Sequence, residues 1–382
     1  MGGSVEGARA MTDARSAALS AFLNDAGWGA ATVVPLAGDA STRRYLRAVR
    51  DGEHAVVMDA PPKAEAAACP PDADEATRRA LGYNALARLA GPDLNAFVAV
   101  GDHLSALGLS APRILAADAA HGFALLEDLG DTLFGPTLAA GAGDEAAYYG
   151  VAVDALLRLH QTPAPSSLPA RGGERTLLAY DAVAMRAETD LLLDWFYPYA
   201  TGGEAADAVR AGFDAIWAPL FDIAAGEAVL VLRDYHADNL IWLPEREGAA
   251  RVGLLDFQDA VVGSPAYDLA SLLEDIRRDV DRDLAADLLA RYCAEAAMRP
   301  GFDADAFRAA CAILAAQRNA KILGIFVRLA KRDGKARYLD YLPRVWARFT
   351  DELSHPALAP LKRWTDDHLT ASVEKVLSGA SA

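Results

Sequence analysis

The chain has 382 residues, 53% of them hydrophobic, which is enough for one large core or two lobes. Its net charge of -16 argues against a general nucleic-acid binder, which needs a basic face, and no apolar run approaches the roughly 20 residues that cross a bilayer. The three cysteines, Cys69, Cys293 and Cys311, are far apart and odd in number, so they suggest neither a disulfide framework nor a zinc knuckle and suit a reducing cytoplasm.

Residues 1–11 read as a flexible leader. Residues 12–27 read as a helix, capped by Thr12 or Asp13, with apolar residues at helical spacing. Three strands follow at 31–36, 44–49 and 54–58. Asp51-Gly52 between alternating runs is a strong hairpin signal, and Pro61-Pro62 ends the third strand. Residues 63–74 are polar and read as a loop, 93–107 as an amphipathic helix, and 114–117 with 123–127 as a further strand pair. Residues 12–127 therefore predict a small sheet with a packed helix. From 128 to 382 helical patterns dominate, with one hairpin, 240–243 and 251–257, joined by a polar turn at 245–250.

That hairpin follows the most informative string in the chain. Arg233 to Leu240 places Asp234 five positions before Asn239, and Asp256 follows in Leu254-Leu255-Asp256-Phe257. The protein-kinase signature H-R-D-x-x-x-x-N, then D-F-G, has the same spacing. Phosphoryl transfer from a nucleoside triphosphate needs such a set. A positioned carboxylate, Asp234, orients a hydroxyl and accepts its proton. Asn239 and Asp256 supply the oxygen ligands that Mg2+ prefers. Asp256 closes an apolar strand, where a carboxylate without a partner is costly. Asp268 is placed to brace the catalytic loop.

Other positions are less specific. Gly38 to Arg44 joins the first two strands, where Ser41 and Thr42 could offer N–H and hydroxyl groups, and Arg43 or Arg44 positive charge, to phosphates. It has one glycine, and no G-x-G-x-x-G or Walker motif occurs in the chain. Glu127 and Leu129 lie in the connector, whose backbone would read the adenine edge. Arg233, His236, Gln258 and Asp259 border the key residues as candidate acceptor contacts. Trp195 and Tyr197 belong to an aromatic concentration that suits either a sugar-binding wall or a core.

Together these strings resemble the aminoglycoside-phosphotransferase-like branch of the protein-kinase-like fold. Within it the chain is similar to the bacterial anomeric kinases of N-acetylmuramate and N-acetylglucosamine. The resemblance runs through Gly38-Asp39-Ala40-Ser41-Thr42-Arg43-Arg44-Tyr45, Val56-Val57-Met58-Asp59-Ala60-Pro61-Pro62, Arg233-Asp234-Tyr235-His236-Ala237-Asp238-Asn239, Asp256-Phe257-Gln258-Asp259 and Lys321-Ile322-Leu323-Gly324-Ile325-Phe326. It implies an α+β, bilobal architecture: a small β-rich lobe over a larger, mostly helical one. It also implies Asp234 as catalytic base, Asn239 and Asp256 as Mg2+ ligands, ATP as donor, and an amino sugar phosphorylated at C1 for cell-wall recycling. A cytoplasmic monomer with neither nucleic-acid nor membrane partners is expected. Two alternatives stay open: a kinase of another small alcohol, of aminoglycoside, choline or homoserine type, and a nucleotide-binding pseudokinase. Leu232 stands where many relatives have His, and Gln258 where D-F-G has Gly. Met58 or Asp59 falls where a third-strand lysine would meet the phosphates, leaving that charge to Arg43, Arg44 or Lys63.

Overall fold

Five antiparallel strands form the sheet of the smaller lobe: β1 (Thr32–Pro35), β2 (Arg44–Arg50), β3 (Glu53–Asp59), β4 (Ile114–Asp118) and β5 (Phe123–Glu127), in the order β1-β2-β3-β5-β4. The structure, a computed structural model, describes residues 3–36, 43–61, 69–91, 93–170 and 173–379. Asp51 and Gly52 both take positive φ, 50° and 83°, as the tight β2–β3 turn requires.

Successive strand side chains alternate between faces. Ala55, Val57, Phe123 and Leu125 face helix α1 (Gly3–Asp25), where they pack with Phe22, Leu23 and Trp28. Met58, Ala124 and Leu126 face the other way, into the main core beside α4 (Leu94–Ala106). Helix α1 begins at Gly3, so residues 3–11 are helical where a flexible leader was expected. Two short helices not anticipated from the sequence, α2 (Glu75–Leu81) and α3 (Tyr83–Leu86), lead into α4. Asp74 and Asp93 cap α2 and α4 by accepting from the N–H groups of Thr77 and Asn95.

The larger lobe contains α5 (Phe134–Ala139), α6 (Glu145–Leu159), β6 (Ser167–Ala170), β7 (Gly173–Thr176), α7 (Ala182–Leu191), α8 (Tyr197–Thr201) and α9 (Asp207–Ala225). Strands β8 (Val229–Val231), β9 (Leu240–Trp242), β10 (Val252–Leu254) and β11 (Val261–Gly263) follow, then α10 (Ala266–Leu273), α11 (Arg282–Ala296), α12 (Ala304–Asp333), α13 (Leu342–Glu352), α14 (Ala359–Thr365) and α15 (Ala371–Gly379). The expected hairpin is β9–β10. Two more strand pairs, β6–β7 and β8–β11, were not legible. The three residues of β8 are too few to show alternation, and all three are buried.

The 30-residue helix α12 is long and apolar enough to cross a membrane by length and composition, which the sequence reading did not anticipate. In the fold, 83% of its most apolar window is buried, and α7, α9, α10 and α13 pack around it. Gly324 permits the crossing with α7: a Cβ there would lie 2.2 Å from the carbonyl oxygen of Leu191. Beyond that contact the backbone loosens into a π turn over Leu192–Phe196.

Candidate active site

Strand β8 delivers the chain to a loop held from below. The carboxylate of Asp268, at the start of α10, accepts from the N–H groups of Leu232 at 2.7 Å and Arg233 at 2.8 Å. Ser271 Oγ donates to the Arg233 carbonyl at 3.4 Å. These contacts hold Arg233 at φ 71°, a conformation that residues bearing a Cβ seldom adopt. Asp268 therefore braces the catalytic loop through its backbone. Burial pushes the Asp268 carboxyl up to about 7, against the opposing pull of the two N–H groups.

The Arg233 side chain turns inward, and this corrects its reading as an acceptor contact. It is buried, donates to the Ala87 carbonyl at 2.8 Å and forms an ion pair with Glu188. Fully buried Glu188 also accepts from Tyr180 Oη and, at 3.1 Å, from Gln317 Nε2, while Lys321 Nζ lies 3.3 Å away. Burial opposes its ionisation, but Lys321 and Arg233 outweigh that and hold the carboxyl below its ordinary range. Lys321 donates to Tyr267 Oη at 2.7 Å and is close enough to Asp234 to feel its charge. The sequence reading missed this network. Its members come from α7, α10, α12 and the catalytic loop, with no common motif.

Asp234 is half-buried at the end of this braced segment. Its carbonyl accepts from Asn239 Nδ2 at 2.9 Å, which leaves the amide oxygen of Asn239 as the atom offered to a cation. The Asn239 carbonyl accepts from Leu255 N at 3.0 Å, tying the catalytic loop to the strand that carries Asp256. Asp256 takes φ 56°, and its Oδ1 accepts from Arg43 Nη1 and Gln258 Nε2, each at 2.9 Å. Burial and then the charge of Asp234 raise the Asp256 carboxyl, with Arg43 opposing them. A divalent cation would relieve that crowding of like charges. No group of three or more His, Cys, Asp or Glu side chains is placed to hold a metal ion among the described residues. The donor set is an amide and a carboxylate. Mg2+ accepts such a minimal set, because it keeps water and phosphate oxygens in its shell.

Between the lobes lies a cavity of about 410 Å³. Val56 and Leu126 line it from the sheet, Ile241 and Leu255 from the larger lobe, and Glu127 to Asp131 along the connector. The Glu127 carboxylate is held by Arg113 at 3.2 Å and Arg246 at 2.9 Å, so its side chain braces the connector. Leu129 lines the cavity and packs with Ile241 and Leu243. Arg47, another residue missed in the sequence, binds Asp128 at 2.6 Å and Asp131 at 2.7 Å.

Of the basic candidates, Arg43 reaches the site and Arg44 does not. Arg44 lies across from Asp59 on the α1 face of the sheet, where it and Arg15 both pair with that buried carboxylate. Ser41, Thr42 and Lys63 lie outside the described residues. Met58, cross-strand from Tyr45, occupies the face turned away from α1.

Gln258 and Asp259 bind inside the site's own framework: Gln258 to Asp256, and Asp259 Oδ1 to the N–H of Ala90 at 2.6 Å. His236 is buried with Nε2 3.3 Å from Asn239 Nδ2. Burial, then Arg277 and Arg318, keep it neutral by holding its pKa well below the usual range. Trp195 and Tyr197, read as a candidate acceptor wall, do not line the interlobe cavity. Trp195 lines a separate cavity with Tyr83, Asp190 and Arg328, and Tyr197 packs against the main core.

Asn239 and Asp256 thus line a cavity between the lobes, with the Asp234 carboxylate close enough to raise Asp256, and the fold that carries them is that of a kinase-like phosphotransferase. The chain belongs to the phosphotransferase enzyme family, whose model matches residues 32–309. It is 48% identical over 368 residues to the N-acetylmuramate/N-acetylglucosamine kinase of Caulobacter vibrioides, covering 96% of this chain and 99% of that one. The like-named protein of Pseudomonas putida is 32% identical over 351 residues, or 90% and 91% of the two chains. Among solved structures, choline kinase LicA from Streptococcus pneumoniae matches with a TM-score of 0.52 at 16% identity, over 85% of this chain and 93% of that one. A GDP complex of an aminoglycoside 2'-phosphotransferase-IIIa variant gives 0.51 at 14%, over 84% and 93%. At such identities these two structures speak for the fold.

Proposed function

We propose that the protein transfers the terminal phosphoryl group of ATP to the anomeric C1 hydroxyl of N-acetylmuramate and N-acetylglucosamine. The products are sugar 1-phosphates, and the role is peptidoglycan recycling in the cytoplasm. The near full-length identity of 48% with the Caulobacter vibrioides kinase carries the choice of acceptor.

In this reading the Asp234 carboxylate orients the sugar hydroxyl and accepts its proton as the new P–O bond forms. Asn239 and Asp256 would hold Mg2+, which supplies charge neutralisation on the donor phosphates. Arg43 adds, from the same smaller lobe, the positive charge that a third-strand lysine gives elsewhere. The connector backbone at Glu127 to Leu129 receives the base. Asp268, Arg233 and Glu188 fix the loop so that Asp234 does not have to reorganise during the reaction.

The test is incubation with Mg2+-ATP and each sugar, followed by NMR at the anomeric carbon and phosphorus. A phosphate at C1 with matching ADP release is expected. ATP turnover on an aminoglycoside or choline without any C1 phosphate would replace this acceptor. ATP binding without turnover on any alcohol would favour a pseudokinase.

A further inference from the structure

A second cavity, of about 390 Å³, is lined by residues of α5, of α12 and of the catalytic loop. It shares one residue with the nucleotide cleft, Asp238, which immediately precedes Asn239. Its walls combine two chemistries. Phe326 of α12 meets Tyr338 and Tyr341 with ring centroids 5.2 and 5.7 Å away. Arg277, Arg278 and Arg337 supply three cations. Arg278 is committed to the framework, paired with Glu145 and bonded to Tyr149 Oη at 3.1 Å. Arg277 lies with Nε 3.5 Å from Asp238, and the Arg337 guanidinium lies 5.3 Å from the Tyr338 ring centroid.

Three arginines against one carboxylate, Asp238, give this cavity a net positive lining in a chain of net charge -16. Aromatic rings pack on the C–H faces of a sugar, and a planar guanidinium over a ring is well set to bind a carboxylate. The two acceptors in the proposed reaction differ in one group: N-acetylmuramate carries a lactyl ether with a free carboxylate, and N-acetylglucosamine a hydroxyl in its place.

We infer that this cavity is an acceptor subsite for the carboxylate of an acidic amino sugar, with Arg337 and Arg277 as the anion-binding pair and Phe326, Tyr338 and Tyr341 as the wall beneath the sugar. The inference rests on the proposed kinase activity and adds to it the residues that distinguish an acidic from a neutral acceptor.

The subsite is tested by the ratio of kcat/KM for N-acetylmuramate to that for N-acetylglucosamine. Arg337→Gln should lower this ratio roughly 10- to 100-fold, as expected when a charged hydrogen-bond partner is removed. Arg337 is exposed in a short 3-10 turn, so the variant should fold. Wild-type enzyme with the methyl ester of N-acetylmuramate gives a reading that needs no variant, and the neutral ester should lose a similar factor through KM. If both sugars are turned over, the ester matches the acid and Arg337→Gln leaves the ratio unmoved, the subsite is wrong and the kinase activity stands. If the wild type phosphorylates neither sugar, both proposals fail.

Discussion

Arg43 and Asp256 are joined across the interlobe cleft by a 2.9 Å charge-assisted hydrogen bond spanning 213 positions of sequence. Arg43 Nη2 also donates to the Gly91 carbonyl at 2.8 Å. The smaller lobe thereby contributes its cation directly to the carboxylate proposed to hold the metal. Arg43→Ala should raise KM for ATP or lower kcat by roughly 10- to 100-fold in kcat/KM. Arg44→Ala should change kcat/KM less than about twofold, because Arg44 lies on the α1 face, away from the cleft, and Asp59 keeps Arg15 as its partner. Steady-state kinetics on both variants decide the point; equal losses would mean the two arginines share the role.

Asp234→Asn keeps the size of the side chain and removes its capacity to accept a proton. A fall in kcat of about 10²–10⁴-fold is expected. Nucleotide affinity, measured by fluorescence or calorimetry, should move less than about threefold, since a lost base affects the chemical step. Near-normal turnover would take the base role away from Asp234.

Asp268→Ala leaves two buried N–H groups, those of Leu232 and Arg233, without their acceptor. Each such group costs about 1–3 kcal/mol. The variant should melt at lower temperature and lose at least about tenfold in kcat, because the loop carrying Asp234 is freed. A variant that is less stable yet fully active would confine Asp268 to folding.

Glu188→Ala strands Arg233 and Lys321 as buried charges without their carboxylate. Removal of one partner from such a network costs about 3–5 kcal/mol. Urea denaturation should show that loss. Glu188→Gln, which retains hydrogen-bonding capacity, should recover part of it, and identical losses in both variants would point to packing as the cause.

His160 gives the pH dependence. It is fully buried, its Nδ1 lies 2.9 Å from Tyr292 Oη, and burial, followed by Arg299, lowers its pKa from 6.5 to about 3. A folded-state pKa below the unfolded one gives stability that is present above pH 6.5 and lost as pH falls toward 3. Within that window the wild type should lose up to about 1.4 kcal/mol per pH unit from this group alone. The stability of His160→Gln between pH 6 and 4 should therefore fall less steeply than that of the wild type. Parallel slopes would show that His160 does not titrate differently on unfolding.

The chain's local patterns are what made it readable. Strand alternation and the Asp51-Gly52 turn are local, so all five strands of the sheet were legible within a residue or two. Asp234, Asn239 and Asp256 were legible because the loop and hairpin between them have a fixed length, and the geometry is written into the spacing. The same alternation puts Arg44 beside Asp59 on the α1 face and leaves Arg43 on the other side. Strand β8 pairs with β11 at Val231↔Val261, and no short-range pattern announces that pairing.

Tertiary packing decided the rest. Arg233 looked like an acceptor contact because it adjoins Asp234. In the fold it points inward, since Glu188 from α7 and Lys321 from α12 meet beneath the loop. The aromatic run at Trp195 to Tyr199 suggested a sugar wall; in the fold Trp195 lines a cavity other than the interlobe one, and Tyr197 and Tyr199 pack against the main core. Composition and spacing determined which groups could do the chemistry. Their partners came from helices far apart in sequence, because buried charges must find counter-charges wherever the core brings them together.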